Sequence, residues 1–301
     1  MTNSHDCPAC AGPRVRTAVA SRATGRRIST CLDCGVHFWH DHEDAERLEA
    51  IELQIEWSDD DYSDWVDIKR EQVGPEAWRE ALGWVRDALP ARAADTAPVL
   101  YDVGAGDGEF LSVARDDFGF SVTGNEIVAG AVKLAKDRHD VDLDLGDLSS
   151  LGHVEDIDAV TLWCVLAHVT DTDQLLADTH TMLRPGGVLF LQTPHWTKAD
   201  TMAHAAKRVT FGRFSKVPDR RIAQHHWILH TRESITAQLT RLGFVDIVAE
   251  PRLRYTLTSE AYIASMNPPK WSVRPAARLL DRLISSPIAP RIVLDVRARK
   301  A

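Results

Sequence analysis

Tyr101–Phe110 reads YDVGAGDGEF, with glycines at 104, 106 and 108 and acids on both sides. The apolar run Val99–Val103 in front of it predicts a strand, and Glu109–Arg115 behind it predicts a helix. A glycine turn between strand and helix lets backbone approach a ligand where no Cβ intervenes, and it aims the free N–H groups of the helix start at that ligand. Two phosphate-bearing ligands are excluded. A dinucleotide fingerprint needs a small residue at position 109, where Glu109 would face the pyrophosphate, and a P-loop needs a G-K-[ST] that does not follow. The spacing is instead D-x-G-x-G-x-G, from Asp102 through Gly104 and Gly106 to Gly108, so the ligand must tolerate acids.

Moving outward, VTGNEI (122–127) reads as a second strand with Glu126 at its carboxyl end, where a carboxylate can accept from both hydroxyls of a ribose. DLDLGDL (142–148) supplies Asp147, with Asp142 and Asp144 close by. DIDAVTLWCVLAHV (156–169) reads as a buried strand followed by a helix start, and Leu175, Leu176, Thr179, Met182 and Leu183 then share one helical face. RPGG (184–187) turns the chain into the strand VLFLQTP (188–194). Strands alternating with helices imply a parallel sheet with ligands beyond its carboxyl ends, where Asp102, Glu126, Asp147, Cys164 and Thr193 all fall.

In order and spacing, residues 98–250 resemble the class I S-adenosylmethionine-dependent methyltransferases. The resemblance implies an α/β, Rossmann-like doubly wound and mostly parallel sheet. It also implies S-adenosylmethionine as the methyl donor, whose ammonium and sulfonium suit an acid-flanked turn. Carried over residue by residue, Asp102, Gly104, Ala105, Gly106 and Gly108 form its cradle, Glu126 takes the ribose and Asp147 the adenine amino group. Cys164 stands where the family often has an acid or asparagine, and His168 matches a histidine common in one branch.

Ahead of this region Cys7 and Cys10 form one pair and Cys31 and Cys34 a second, twenty residues on. Two such knuckles joined by a hairpin point four sulfurs at one tetrahedral ion, so a structural zinc in a small N-terminal unit is expected. Arg14, Arg16, Arg22, Arg26 and Arg27 lie between the pairs without the interleaved aromatics of a base-stacking ribbon, which favours a solvated hairpin over a nucleic-acid reader. Residues 41–67 are acidic, with Leu48, Ile51 and Ile55 at helical spacing and Trp57, Tyr62 and Trp65 following. Trp78, Leu82, Val85 and Leu89 mark another helix, stopped by Pro90.

The expected division is a zinc-binding hairpin over 1–40, an acidic helical linker or cover over 41–95, the main domain over 96–260 and a basic extension over 261–301. Residues 195–230 interrupt the alternation and are the candidate substrate lid. They hold His195, His225 and His226, which join His168 as candidate bases, since an alcohol acceptor loses a proton as it attacks and histidine suits that task near neutral pH. His226 is the first choice.

A net charge of −9 argues against a whole-surface affinity for nucleic acid. With no long apolar run and no apolar core in the opening residues, the expected compartment is the cytoplasm. In the extension, Leu279, Leu280, Leu283 and Ile284 line one side of a short basic helix, for which packing on the main domain or a second subunit is weighed above peripheral membrane contact. The function expected is transfer of a methyl group to a small-molecule or glycan acceptor, with a sugar hydroxyl foremost. Methylation of RNA or protein read by the hairpin, and a noncatalytic scaffold, are the alternatives.

Overall fold

The computed structural model describes residues 6–17, 27–40, 75–90, 96–151, 156–213, 226–253, 258–264 and 268–301. The expected acidic helix, the aromatics at 57, 62 and 65, and His225 lie outside these residues. At the front are β1 (Val15–Thr17), β2 (Ile28–Cys31) and β3 (His37–Trp39), an antiparallel ladder too small to bury a core alone. Helix α1 (Pro75–Ala88) follows, its Leu82 and Val85 fully buried.

From residue 99 strands and helices alternate regularly. The order is β4 (Val99–Val103), α2 (Glu109–Phe118), β5 (Ser121–Glu126), α3 (Ala129–His139), β6 (Asp144–Leu145), α4 (Leu148–Leu151), β7 (Ile157–Trp163), α5 (Thr172–Met182) and β8 (Leu183–Pro194). Then come α6 (Lys198–Val209), β9 (Ile228–Leu229), α7 (Arg232–Arg241), β10 (Phe244–Arg252), α8 (Ser259–Ala264), α9 (Lys270–Ile284) and β11 (Val293–Lys300).

Seven strands form the central sheet in the order β10-β11-β8-β7-β4-β5-β6. Neighbours from β8 to β6 pair in parallel, and β11 is antiparallel to both strands beside it. Side chains of β8 alternate between two cores. Val188 and Phe190 pack with Leu82, Leu100 and Leu111 on the α1 side, while Leu189 and Leu191 pack with Leu176, Ile235 and Leu239 on the other. Burial on both faces is why this strand reads as an uninterrupted apolar run.

The C-terminal division needs correction. Residues 261–301 are not wholly an extension, because Val293–Lys300 is inserted between β8 and β10, one strand in from the edge of the sheet. Its basic end has a local task. Arg299 donates to the carbonyls of Ala88 and Gly186, at 2.8 and 2.9 Å, and Lys300 Nζ donates to that of Leu183 at 2.6 Å. These cations satisfy carbonyls left over where α1 and α5 end, the negative poles of two helices.

The segment expected as a lid is partly regular structure. Its described residues form α6, capped by Thr197 and Asp200 in a reciprocal box, and β9, which pairs with β3. Strand β9 thus extends the N-terminal ladder to the order β1-β2-β3-β9, and His230 bridges to His195 at the end of β8. No helix among the described residues is long and apolar enough to cross a membrane.

Candidate active site

All the parallel strands end along one edge, and the glycine turn lies at its centre. Gly104, Gly106 and Gly108 have φ of 68°, 60° and 75°, a region that glycine enters without penalty. At Gly104 there is also no room, since a Cβ would meet Val165 Cγ2 at 2.7 Å. The turn after β4 and the loop after β7 are therefore in contact, and the crevice has two walls. Ala105 is buried and its N–H donates to the Asn125 carbonyl at 2.9 Å, which ties the turn to β5.

Glu126 closes β5 and spans the crevice floor. Its Oε2 accepts the Gly106 N–H at 2.8 Å, and its Oε1 accepts those of Ile127 and Val128 at 2.7 and 3.1 Å. Three backbone donors fix this carboxylate beside the glycine turn before any ligand arrives. Asp102 is placed differently from a lining residue. It is 1% exposed and lies beneath the turn, where its Oδ1 takes the Thr161 hydroxyl at 2.5 Å. Burial pushes its carboxyl up to about 8, opposed by that hydrogen bond and assisted by the Glu126 charge. Asp147 is exposed on the rim and holds the start of α4 through the Ser149 N–H and hydroxyl. Of the two acids near it in sequence, Asp142 is paired with Lys136 at 3.0 Å, and Asp144 lies on β6.

Cys164 follows β7 with a φ of 60°, left-handed backbone that a non-glycine residue adopts only under constraint. The constraint is Gln192, whose carbonyl accepts the Cys164 N–H at 3.0 Å and whose Oε1 lies 3.5 Å from the thiol. Gln192 Nε2 in turn donates to Asp295 on β11 at 3.0 Å. Sequence reading passed over both residues. Gln192 carried a signal, as the one amide inside an apolar strand, but Asp295 lay in a stretch taken for a tail.

The histidines separate into two groups. The rings of His168 and His226 meet edge to face with centroids 4.8 Å apart, and the Trp227 N–H donates to the Ala167 carbonyl at 2.7 Å, so both stand by the loop that carries Cys164. His195 is engaged elsewhere, through Nδ1 to the Arg291 carbonyl at 2.6 Å. His230 is wholly buried, with Nδ1 3.1 Å from the Ser234 hydroxyl, and burial pulls it down to about 3.

The four N-terminal cysteines converge. Cys7 and Cys34 have sulfurs 3.6 Å apart, Cys10 and Cys31 likewise, and all four sulfurs lie within 4.8 Å of one another. That is far beyond a disulfide bond of about 2 Å and close to the edge of about 3.8 Å for a tetrahedron of 2.3 Å metal–sulfur bonds. The Asp33 N–H donates to Cys31 Sγ at 3.3 Å. The hydrogen bond from Cys34 holds Cys7 below the usual thiol range, while burial pushes Cys10 above it. Arg14 of the intervening hairpin is paired with Asp33.

Comparisons with known proteins agree with this arrangement. Residues 76–249, more than half of the chain, match a family model described as a methyltransferase domain. A ubiquinone biosynthesis O-methyltransferase from Xanthomonas campestris pv. campestris is 34% identical over 135 residues, covering 42% of this chain and 56% of that protein. An uncharacterized 37.1 kDa protein in transposon TN4556 of Streptomyces fradiae is 36% identical over 118 residues, covering 36% of this chain and 33% of its own length. The chain thus spans about half the length of the ubiquinone enzyme, or less for the transposon protein. Among solved structures, Haemonchus contortus phosphoethanolamine N-methyltransferase 2 in complex with S-adenosyl-L-methionine superposes with a TM-score of 0.56 at 18% identity, over 82% of this chain and 58% of that one. The family model covers more than half of the chain and the mostly parallel seven-stranded sheet accords with it, so this chain belongs to the class I S-adenosylmethionine-dependent methyltransferases.

Proposed function

We propose that this protein transfers the methyl group of S-adenosylmethionine to a hydroxyl oxygen of a small-molecule or glycan acceptor, with a sugar hydroxyl foremost. The observation that carries this reading is Glu126, fixed by three backbone donors so that it spans the glycine turn and the end of β5. The relative named as an O-methyltransferase supports oxygen as the acceptor atom.

The turn from Gly104 to Gly108, with Glu126, would hold the methionyl and ribose parts, and Asp147 on the rim would take the adenine. A cradle with Glu126 at its floor and Asp147 on its rim complements the ligand's two positive charges. When bound, S-adenosylmethionine supplies an electrophilic methyl on a sulfonium. The residues around it have three tasks: to orient the acceptor in line with the carbon–sulfur bond, to exclude water, and to receive a proton. His226, in contact with His168 beside the Cys164 loop, is assigned the proton as the oxygen–carbon bond forms. Arg14, turned to Asp33, gives no support to the hairpin as an RNA reader. The four-cysteine group would hold zinc. With four thiolates its coordination is complete, so its role is structural.

The test is methyl-labelled S-adenosylmethionine with the protein and a host extract, fractionated into metabolites and glycans, protein, and RNA. Label should appear in the first fraction, and label confined to protein or RNA overturns the acceptor class. Glu126→Gln should weaken S-adenosylmethionine binding by about tenfold or more, roughly what losing charge-assisted hydrogen bonds costs. His226→Ala should leave binding intact and slow turnover about a hundredfold or more. Unchanged binding in the first variant, or unchanged turnover in the second, removes that residue from its role.

A further inference from the structure

Residues 253–292 connect β10 to β11, and because those strands are antiparallel neighbours the connection leaves and re-enters the sheet at the same edge. That edge is the carboxyl edge, where Arg252 faces Val293 and Val293 faces Pro194 of β8. The connection that carries α8 and α9 therefore begins and ends at the rim of the crevice, on the side away from the glycine turn, and the two helices pack on each other.

Helix α9 has two dissimilar sides. Val273, Ala276, Leu280 and Ile284 are half-buried around Ala277, which is 5% exposed, and this side is occupied by the protein. On the other side Trp271 is 81% exposed, Leu279 70% and Leu283 44%, and Ile288 just beyond the helix is 81% exposed. At about 100° per residue, Trp271, Leu279 and Leu283 share a stripe about 120° wide. Arg274, Arg278 and Arg282, each four residues from the last, form a row that flanks Trp271, with Arg282 between it and Leu279. Arg274 lies 3.7 Å from Glu260 of α8, and Asp281 is the single acid on the helix.

Water is a poor neighbour for this surface, and so is an acidic protein partner without an apolar face. An exposed tryptophan and two leucines bordered by arginines match the layered chemistry of a lipid interface, with acyl chains within reach of the apolar stripe and anionic headgroups beside the guanidiniums. The charge that favours an anionic surface is local: α9 carries Lys270, Arg274, Arg278 and Arg282 against Asp281, while the net −9 of the whole chain opposes approach by other faces and so restricts contact to this one.

We propose that α9 is an interfacial helix that seats this protein on an anionic lipid bilayer, with Trp271, Leu279, Leu283 and Ile288 in the headgroup boundary and Arg278 and Arg282 on the headgroups. The proposal stands whatever acceptor is methylated.

Flotation with vesicles tests it. At low salt the full-length protein should float with phosphatidylcholine vesicles containing roughly a third phosphatidylglycerol, and bind pure phosphatidylcholine at least about tenfold more weakly. High salt should reduce the anionic binding. The double variant Arg278→Glu, Arg282→Glu should lose about tenfold or more, and Trp271→Ala with Leu279→Ser should release the protein even at low salt. These side chains are exposed, and circular dichroism should find the variants folded. Equal binding to both vesicle types, no binding to the anionic ones, or variants that bind like the parent overturns the proposal. So does a parent that stays off vesicles and is a dimer that the Trp271 variant dissolves, since a second copy would then cover the stripe.

Discussion

At the scale of single residues, the informative group is Asp102. Its burial raises the folded-state carboxyl to about 8, against about 4 when the chain is unfolded. Below about pH 4 both states hold the proton and the group is neutral for stability. Between about 4 and 8 the unfolded chain ionises while the folded one keeps its proton, so stability falls as pH rises, by at most about 1.4 kcal/mol per unit. His230 works the other way. Burial pulls it to about 3, so its contribution is present above about pH 6.5 and is lost as pH falls below that. Asp102→Asn keeps the shape and an acceptor for Thr161 but removes the titration. Its urea midpoint should exceed the parent's by more at pH 8 than at pH 5, and an identical pH slope in the two proteins would show that Asp102 does not titrate in this window. The motif identified this residue but not its setting. Thr161 faces Asp102 through the register of β4 on β7, a pairing across 59 positions that no local spacing encodes.

Among the elements, those legible from sequence were the ones whose period and punctuation are local. Strand β4 matches Val99–Val103, and α2 begins at Glu109, where the glycine turn was expected to release a helix. Two strands were missed for different reasons. Strand β9 has two residues, too few for a period, and exists only because β3 offers a partner nearly two hundred positions away. Strand β11 does alternate, yet Arg297, Arg299 and Lys300 made it read as a charged tail. Arg299 and Lys300 are at the surface end of a buried strand, where carbonyls at helix ends receive them, and Arg297 lies beside Glu250 and over the Trp84 ring. Helix α9 shows the converse. Its amphipathic pattern is plain in the sequence, but which side is covered depends on α8, and the packed side turns out to be Ala277 and its neighbours rather than Leu279 and Leu283.

For the whole molecule, the question is whether the cysteine unit is an appendage or part of the fold. Its attachments favour the second. Strand β9 belongs to its sheet, yet runs directly into α7 of the main domain. Thr231, the cap of α7, donates its hydroxyl to the Cys34 carbonyl at 2.9 Å. Arg241 at the far end donates to the Ala9 carbonyl at 3.0 Å and to Asp173 of α5 at 2.6 Å, so one guanidinium joins the first knuckle to two elements. His37 of β3 stacks on Trp196 with centroids 3.5 Å apart, and Trp39 donates to the His226 carbonyl at 2.7 Å, a link to the proposed base. A metal that organises the knuckles therefore also braces one wall of the crevice. Metal analysis should find about one zinc per chain. Removing it with a chelator, or preventing its binding with Cys31→Ser, should increase amide exchange well beyond the first forty residues, in β9 and the first turns of α7, because their partners lose their anchor. Turnover should fall more than S-adenosylmethionine affinity, since the glycine turn and Glu126 lie on strands that the unit does not touch while His226 hangs from Trp39. Exchange that rises only within residues 6–40, with turnover unchanged, would make the unit an independent module and detach the metal from catalysis.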